Sequence, residues 1–313
     1  MTERHDPTSG RTAPAPAALD LHSHTTRSDG ILSPDALVAA AAAAGVRLLA
    51  ITDHDTLAGV RDLRRSGFAP AGLEVLPGIE LNSVLSEPAG LGEGEVHVLG
   101  LGVDPDDDEL EAALARQRAS RRARFERVVA RLRELGMPID VALESQPAHT
   151  EEDALGRPGI ARAMIAAGYA TSVEDAFARH LSRGRPAYVP REGLNAIDSI
   201  RAIRSAGGLA SLAHFAEAPR HMPFLRELID AGLNGLEVHY RSFDPTTVDL
   251  LRSVARTLRL VATGGTDFHG DRETYAEAHA QLWIPPEVEP ALRAGLRDAL
   301  AGERDAEARL QNG

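Results

Sequence analysis

An α/β fold with a barrel-like sheet is predicted by three features of this 313-residue chain. Short Val/Ile/Leu runs recur, capped helical segments separate them, and the alternation is made seven times. Strands that read as continuous apolar runs are buried on both faces, the pattern of a parallel sheet covered by helices on either side. The length suits one large domain, or one domain carrying an insert. With 43% apolar residues there is enough material for a sizeable core.

The elements follow in order. Residues 1–18, rich in Pro, Ala and Thr, read as a disordered leader. They lack the apolar stretch of a secretory signal. Strands are predicted at 18–22, 46–52, 73–81, 95–103, 208–214, 235–240 and 258–265. Ser33-Pro34-Asp35 opens a helix with a cap and an early proline, and Gly45 closes it. Asn195 opens a helix at 196–206, and Asp244-Pro245 opens another at 246–256. From 104 to 190 the strand pattern gives way to helices: one over 109–135, one from Pro158 to Gly168, and one from Ser172, with Asp175 at capping-box spacing. This segment reads as a small helical insert, for substrate recognition, within a barrel formed by 19–103 and 191–313. No apolar run approaches the ~20 residues of a membrane span, and a cytoplasmic location is the default.

Composition narrows the chemistry. The chain has no cysteine, which removes disulfides, thiolate metal sites and thiol nucleophiles. All 34 basic residues are arginine, which excludes a Schiff-base or P-loop lysine. A formal charge of −12 opposes binding of duplex nucleic acid across a basic surface. Any anion grip must be local and made by guanidinium groups.

The stretch DLHSHTTRSDG places His22 and His24 one residue apart, so a strand presents both rings on one face. Further candidates fall at the other strand ends: Asp29 after the first, His54 in TDHD, Glu80 in GIELN, His97 on the fourth strand, His214 closing the fifth, and Asp267 and His269 in GTDFHG. Strand ends of an α/β barrel converge on one rim. Six imidazoles and three carboxylates there suit two to three divalent cations, Mn²⁺ first, with Fe²⁺ or Zn²⁺ as alternatives. Glu80 has two oxygens with which to bridge metals. Clustered cations generate a hydroxide nucleophile at neutral pH and clamp a phosphoryl group. His54 and His269 are candidates to help protonate the leaving oxygen. Asp53 and Asp55 read as orienting or capping residues. His239, also at a strand end, is a candidate for orienting a ligand or touching substrate, and the remaining histidines read as structural.

These motifs, with ITDHDT, EVHVLGLG and AHF, resemble over residues 19–270 the series of the PHP (polymerase and histidinol phosphatase) superfamily. The segment GRPGIARAMIAAGYATSVEDAFARHLSRGRPAYVP is similar to the insert of its nucleoside 3′,5′-bisphosphate phosphatase, RNase AM-like subfamily. The resemblance implies a distorted seven-stranded barrel. It also implies one metal held by His22, His24, Glu80 and Asp267, a second by Glu80, His97 and His214, and a third by Asp29, His54 and His269. The implied reaction removes the 3′-phosphate of a nucleoside 3′,5′-bisphosphate and trims short 5′-phosphorylated oligonucleotides from the 5′ end. Histidinol-phosphate phosphatase is the alternative, and a non-catalytic metal or nucleotide sensor a minor one. Gly159 departs from the family pattern, which has histidine there. Within the insert, Arg157 at a helix start and Arg185 in RGRPAYVP are expected to hold a second phosphate, with Arg121 from the long helix as a further candidate. That helix carries eight arginines interleaved with Glu111, Glu126 and Glu134, and most are expected to face water.

Overall fold

Seven strands form one sheet in sequential order, β1 (Leu19–Asp20), β2 (Leu48–Ile51), β3 (Glu74–Val84), β4 (Glu95–Leu101), β5 (Leu209–Leu212), β6 (Gly235–Tyr240) and β7 (Val261–Gly265), in a computed structural model that describes residues 17–85, 94–146 and 149–311, with side chains to residue 301. Leu21 N donates to Gly264 O at 3.1 Å and Asp267 N to His22 O at 2.8 Å, so the continuation of β1 meets β7 and the barrel nearly closes. The helices are α1 (Pro34–Ala43), α2 (Ala58–Ser66), α3 (Asp108–Glu134), α4 (Asp140–Glu144), α5 (Arg157–Ala166), α6 (Val173–Ala176), α7 (Ala196–Ser205), α8 (Met222–Asp230), α9 (Pro245–Leu258), α10 (Tyr275–Ala280) and α11 (Val288–Gln311).

The expected caps are formed where the sequence placed them. Ser33 accepts from Ala36 N, Ser172 from Asp175 N and Asn195 from Asp198 N, while Asp244 takes both Thr246 N and Thr247 N. Each satisfies amide donors that a helix start leaves orphaned. No side-chain cap opens α2: Leu57 precedes it, and Gly67, in the left-handed region, punctuates its end.

One strand corrects the expectation of a parallel sheet. β4 runs antiparallel to both β3 and β5, while the other neighbouring pairs are parallel. Only residues 85–94 join β3 to β4. An antiparallel pair can be linked by a short turn, whereas a parallel pair needs a crossover of a dozen residues or more. The reversal matters for function, because it brings the start of β4 to the rim where the parallel strands end. His97, Leu99 and Leu101 share a face of this strand. The leucines join the apolar cluster of Leu19, Leu48, Leu209 and Leu292, and His97 reaches the rim.

A larger apolar cluster lies between the sheet and its covering helices, and includes Leu110 and Leu114 of α3. A separate cluster gathers Val128 and Leu132 of the same helix with Ile160, Met164, Ala176 and Leu181. The two halves of α3 therefore belong to different cores. The leader lies outside the described residues up to 16. Ala17 and Ala18, assigned to it from sequence, join the barrel instead: Ala17 O accepts from the His279 ring at 2.8 Å, and Ala18 O accepts from Arg47 N. Among the described residues no helix is long and apolar enough to cross a membrane.

Candidate metal centre

The nine histidine and carboxylate candidates converge on one cluster around Glu80, whose side chain is fully buried. Its Oε1 lies 2.8 Å from His97 Nδ1 and 3.3 Å from both His22 Nε2 and His214 Nε2. Its Oε2 lies 2.8 Å from His54 Nδ1 and 3.3 Å from His24 Nε2. The two oxygens thus face different sets of imidazoles. Asp267 Oδ1 is 3.0 Å from His24 Nε2 and 3.3 Å from His22 Nε2. Asp29 is 3.2 Å from His269 Nε2, 3.7 Å from His54 Nε2 and 3.9 Å from His24 Nδ1.

Hydrogen bonds account for part of this proximity, among them those of Glu80 Oε1 with His97 and His214 and of Asp267 with His24, but not for all of it. His22 Nε2, His24 Nδ1, His54 Nδ1, Asp29 Oδ1 and Glu80 Oε2 are buried with no hydrogen-bond partner. A buried polar atom left unsatisfied costs roughly 1–3 kcal/mol, so five of them turned toward one another need a further ligand to justify the arrangement. Divalent cations fit. Ligand atoms lie within 4.8 Å of one another in three overlapping groups: His22, His24, Glu80 and Asp267; His24, Asp29, His54 and His269; and His54, Glu80 and His97. The nitrogen and oxygen donors, with no thiolate, are those preferred by Mn²⁺, Fe²⁺ or Zn²⁺.

The same crowding shows in the proton affinities. Burial would raise the Glu80 carboxyl, but His54, His22 and His97 hold it well below the usual range. Burial works against charge on His24, yet Asp267 and Glu80 lift it to about 10. Burial carries His54 down to about 4, although Glu80 and Asp29 oppose this. Adjacent rings are driven in opposite directions because the cluster cannot hold a proton on every imidazole.

The supporting residues include one that the sequence reading missed. Glu237, buried in the middle of β6, places Oε1 3.1 Å from His22 Nδ1 and accepts from His214 N through Oε2 at 2.7 Å. One carboxylate thus fixes a ring and the backbone of a second candidate ligand, the arrangement that sets tautomer and basicity at metal sites. Its signal was an acidic residue inside an otherwise apolar strand. Asp53 accepts from Thr25 N, Thr25 Oγ1 and Ser28 Oγ, which holds the turn leading to Asp29. His214 and Asp267 have φ of 31° and 50°, and Asp55 of 49°. Non-glycine residues in this region carry strain, which is characteristic of functional sites.

The cluster forms one end of a cavity of about 410 Å³ whose other end carries Arg121, Arg124, Arg157 and Arg191. Arg121 Nε lies 2.5 Å from Asp55 Oδ2, and Arg191 pairs with Asp55 at 2.8 Å and Glu95 at 3.3 Å. Arg157, the first residue of α5, pairs with Glu95 at 2.8 Å and lies over the Phe177 ring. Asp55 is therefore an arginine anchor rather than a loop cap. Arg124 donates Nε to Val189 O at 2.9 Å and has no carboxylate within ion-pair distance among the described residues. Burial and neighbouring Arg157 lower its guanidinium to about 10, which leaves it charged at neutral pH.

Two residues stand apart from these expectations. Arg185 is exposed and does not line the cavity; Arg191, six residues on, enters it instead. His239 packs edge-on against Trp283, with burial and Arg252 lowering it to about 4, and does not line this cavity. The bulge in β6 between Glu237 and His239 interrupts the register that would carry both inward. On α3, Arg116, Arg127, Arg131 and Arg133 face water as expected, whereas Arg118, Arg121 and Arg124 are buried at successive three-residue steps.

A nearly closed seven-stranded barrel with a His/Asp/Glu rim and a cationic recess defines a metal-dependent phosphoesterase. The PHP domain family matches residues 20–129. The chain is 34% identical to the 5'-3' exoribonuclease Rnm of Escherichia coli strain K12, over 86% of this chain and 91% of that protein. It is 30% identical to the 3',5'-nucleoside bisphosphate phosphatase of Chromobacterium violaceum, over 88% of this chain and 96% of that protein. A solved structure from Bifidobacterium adolescentis, assigned as a metal-dependent phosphoesterase, superposes with a TM-score of 0.76 at 31% identity, covering 90% of this chain and 97% of the other. The chain belongs to the PHP family.

Proposed function

We propose that this enzyme removes the 3′-phosphate of nucleoside 3′,5′-bisphosphates and shortens 5′-phosphorylated oligonucleotides from the 5′ end. The observation that carries this reading is a single cavity with unpaired metal ligands at one end and surplus guanidinium charge at the other. Four arginines line that end and pair with only two carboxylates, Asp55 behind the cavity wall and Glu95, which leaves two positive charges, a match for a phosphate dianion. A singly phosphorylated substrate placed on the metals would leave that charge unmatched. The C. violaceum and E. coli relatives bear names that fit both halves of the proposal.

In this reading residues 104–190 are a recognition insert, and all nine candidates are metal ligands. Two to three divalent cations, Mn²⁺ first, bind there, and when bound they activate water and neutralise phosphoryl oxygens. Arg124 and Arg157 grip the 5′-phosphate. Asn82 Nδ2 lies 2.5 Å from His97 Nε2, and its Oδ1 accepts from Arg121, so the two ends of the cavity are held at a fixed separation. The water oxygen bonds to phosphorus, the bond from phosphorus to O3′ breaks, and O3′ takes up a proton, with His269 or His54 the candidates to assist that transfer. The products are a nucleoside 5′-monophosphate and inorganic phosphate. A cytoplasmic location accords with a nucleotide substrate.

The test is phosphate release from adenosine 3′,5′-bisphosphate against histidinol phosphate, with Mn²⁺ added. A preference for the bisphosphate is expected, and equal rates or a preference for histidinol phosphate would refute the substrate assignment. Hydrolysis of a chiral thiophosphate ester should invert configuration at phosphorus. Net retention would show a covalent phosphoenzyme instead.

A further inference from the structure

A second cavity, of about 520 Å³, lies against the first and shares Phe125, Leu155 and Gly156 with it. Asp29 lines the first and Gly30 the second, so the two cavities flank one loop of the candidate metal centre. Such a volume falls within the roughly 300–1,000 Å³ that holds a small organic ligand.

Its chemistry differs from that of its neighbour. Arg27 pairs with Asp62 at 2.5 Å and with Asp153 at 2.9 Å, and Arg162 pairs with Asp271 at 2.6 Å while donating to Asp29 O. Two arginines against three carboxylates leave no cationic surplus, so the cavity does not attract a phosphate. Phe125, Ile31 and His149 offer faces for a planar ring, and Thr26, Ser145 and Gln146 offer polar edges. This is a lining for a nucleoside.

Gly159 keeps the space open. It is the third residue of α5, and a Cβ there would meet nothing nearer than Gln146 Oε1 at 4.0 Å. Its φ lies outside the left-handed region, so no backbone requirement calls for glycine. Glycine inside a helix is destabilising relative to alanine. The absent side chain is explained by the room it leaves.

We infer that this second cavity receives the nucleoside attached to the far side of the scissile phosphate, the second residue of a 5′-phosphorylated oligonucleotide. The inference rests on the substrate reading given above. In a bisphosphate the remote phosphate oxygens carry nothing. In an oligonucleotide one of them is esterified to the next nucleoside, which needs a place beside the metal centre. Water adds to phosphorus, the bond to O3′ breaks and O3′ takes the proton. The phosphate stays on the shortened chain as a new 5′-phosphate, the group that the arginine recess recognises.

The experiment compares kcat/KM for adenosine 3′,5′-bisphosphate and for a 5′-phosphorylated diadenosine dinucleotide, using Mn²⁺-loaded wild type, Gly159→Leu and Gly159→Ala. Loss of one stacked base corresponds to roughly 5- to 150-fold, so Gly159→Leu should lower dinucleotide cleavage by that much, mainly through KM. Bisphosphate hydrolysis should be little changed, and Gly159→Ala should retain both activities. If Gly159→Leu does not fold, Ala142→Leu obstructs the cavity from α4. Equal losses on both substrates, or no loss on either, would overturn the inference and leave the substrate reading standing, whereas a wild type that hydrolyses the bisphosphate but refuses the dinucleotide would overturn the inference together with the oligonucleotide half of that reading. A wild type inactive on both would overturn that reading itself.

Discussion

The two ends of the first cavity solve opposite problems. At the rim, candidate ligand atoms of His22, His24, His54, Asp29 and Glu80 are held close together without hydrogen-bond partners, and their supports, such as Glu237, stand behind them. At the other end, Arg121 and Arg191 are already committed to Asp55 and Glu95, and Arg124 is left with charge to spare. One end is built of polar atoms without partners, the other of ion pairs with two positive charges to spare. The rim therefore depends on its ligand for electrostatic balance, whereas the arginine recess is pre-organised and binds with what its pairs do not use.

The largest expected effect tests the rim. Glu80→Gln should reduce phosphoester hydrolysis below detection and lower the divalent metal retained per chain by at least one ion in elemental analysis. Retention of wild-type metal content would break the account of a bridging carboxylate. Next comes the surplus charge: Arg124→Ala removes charged hydrogen bonds worth roughly 1.5–3 kcal/mol, and so should cost about 10- to 150-fold in kcat/KM on the bisphosphate. A simple aryl phosphate should be nearly unaffected, and equal losses on the two substrates would move Arg124 out of phosphate recognition.

Glu237→Gln should weaken metal binding about 10- to 100-fold while sparing kcat once metal is saturating, because Glu237 orients ligands without touching substrate. A titration with fluorescent chelator competition would show it. The pH dependence of loading follows from His24. Its pKa, raised to about 10, means that the ring holds a proton at neutral pH without metal, and a cation must displace it. Apparent affinity should therefore rise with pH up to about 10, with protons released on binding, as seen in calorimetry across buffers. Affinity independent of pH would contradict imidazole ligation. The smallest effects sharpen the arginine end: Arg157→Ala should fall short of Arg124→Ala because Arg157 is paired with Glu95, and the exposed Arg185→Ala should match wild type in kcat/KM.

The difference in legibility between the two ends has a physical origin. Rim residues sit at strand ends, where residue type and position in a short motif declare both face and location. His22 and His24 could be read directly from their spacing. Strand direction could not be, and His97 reached the rim only because β4 is reversed. The arginines of α3 have no such marker. A helix with cations at steps of three and four reads as a solvated face, and only tertiary packing on α5, β3 and the chain at Val189 shows that Arg121 and Arg124 are buried while Arg127 and Arg131 are not. Arg185 and Arg191 lie six residues apart in one returning segment, and propensity does not choose between them.

The 27 residues of α3 form a rod of about 40 Å. Leu110 and Leu114 anchor one end in the barrel core, and Val128 and Leu132 anchor the other in the helical core. The consequence is cooperativity. The helical region cannot be cut out as a cassette without opening the barrel, and the two cores should melt in one calorimetric transition. The stretch of helix between those anchors carries Gln117, Arg118, Arg121 and Arg124, so recognition is mounted on the beam that joins the two cores, and its geometry is as stiff as the fold itself.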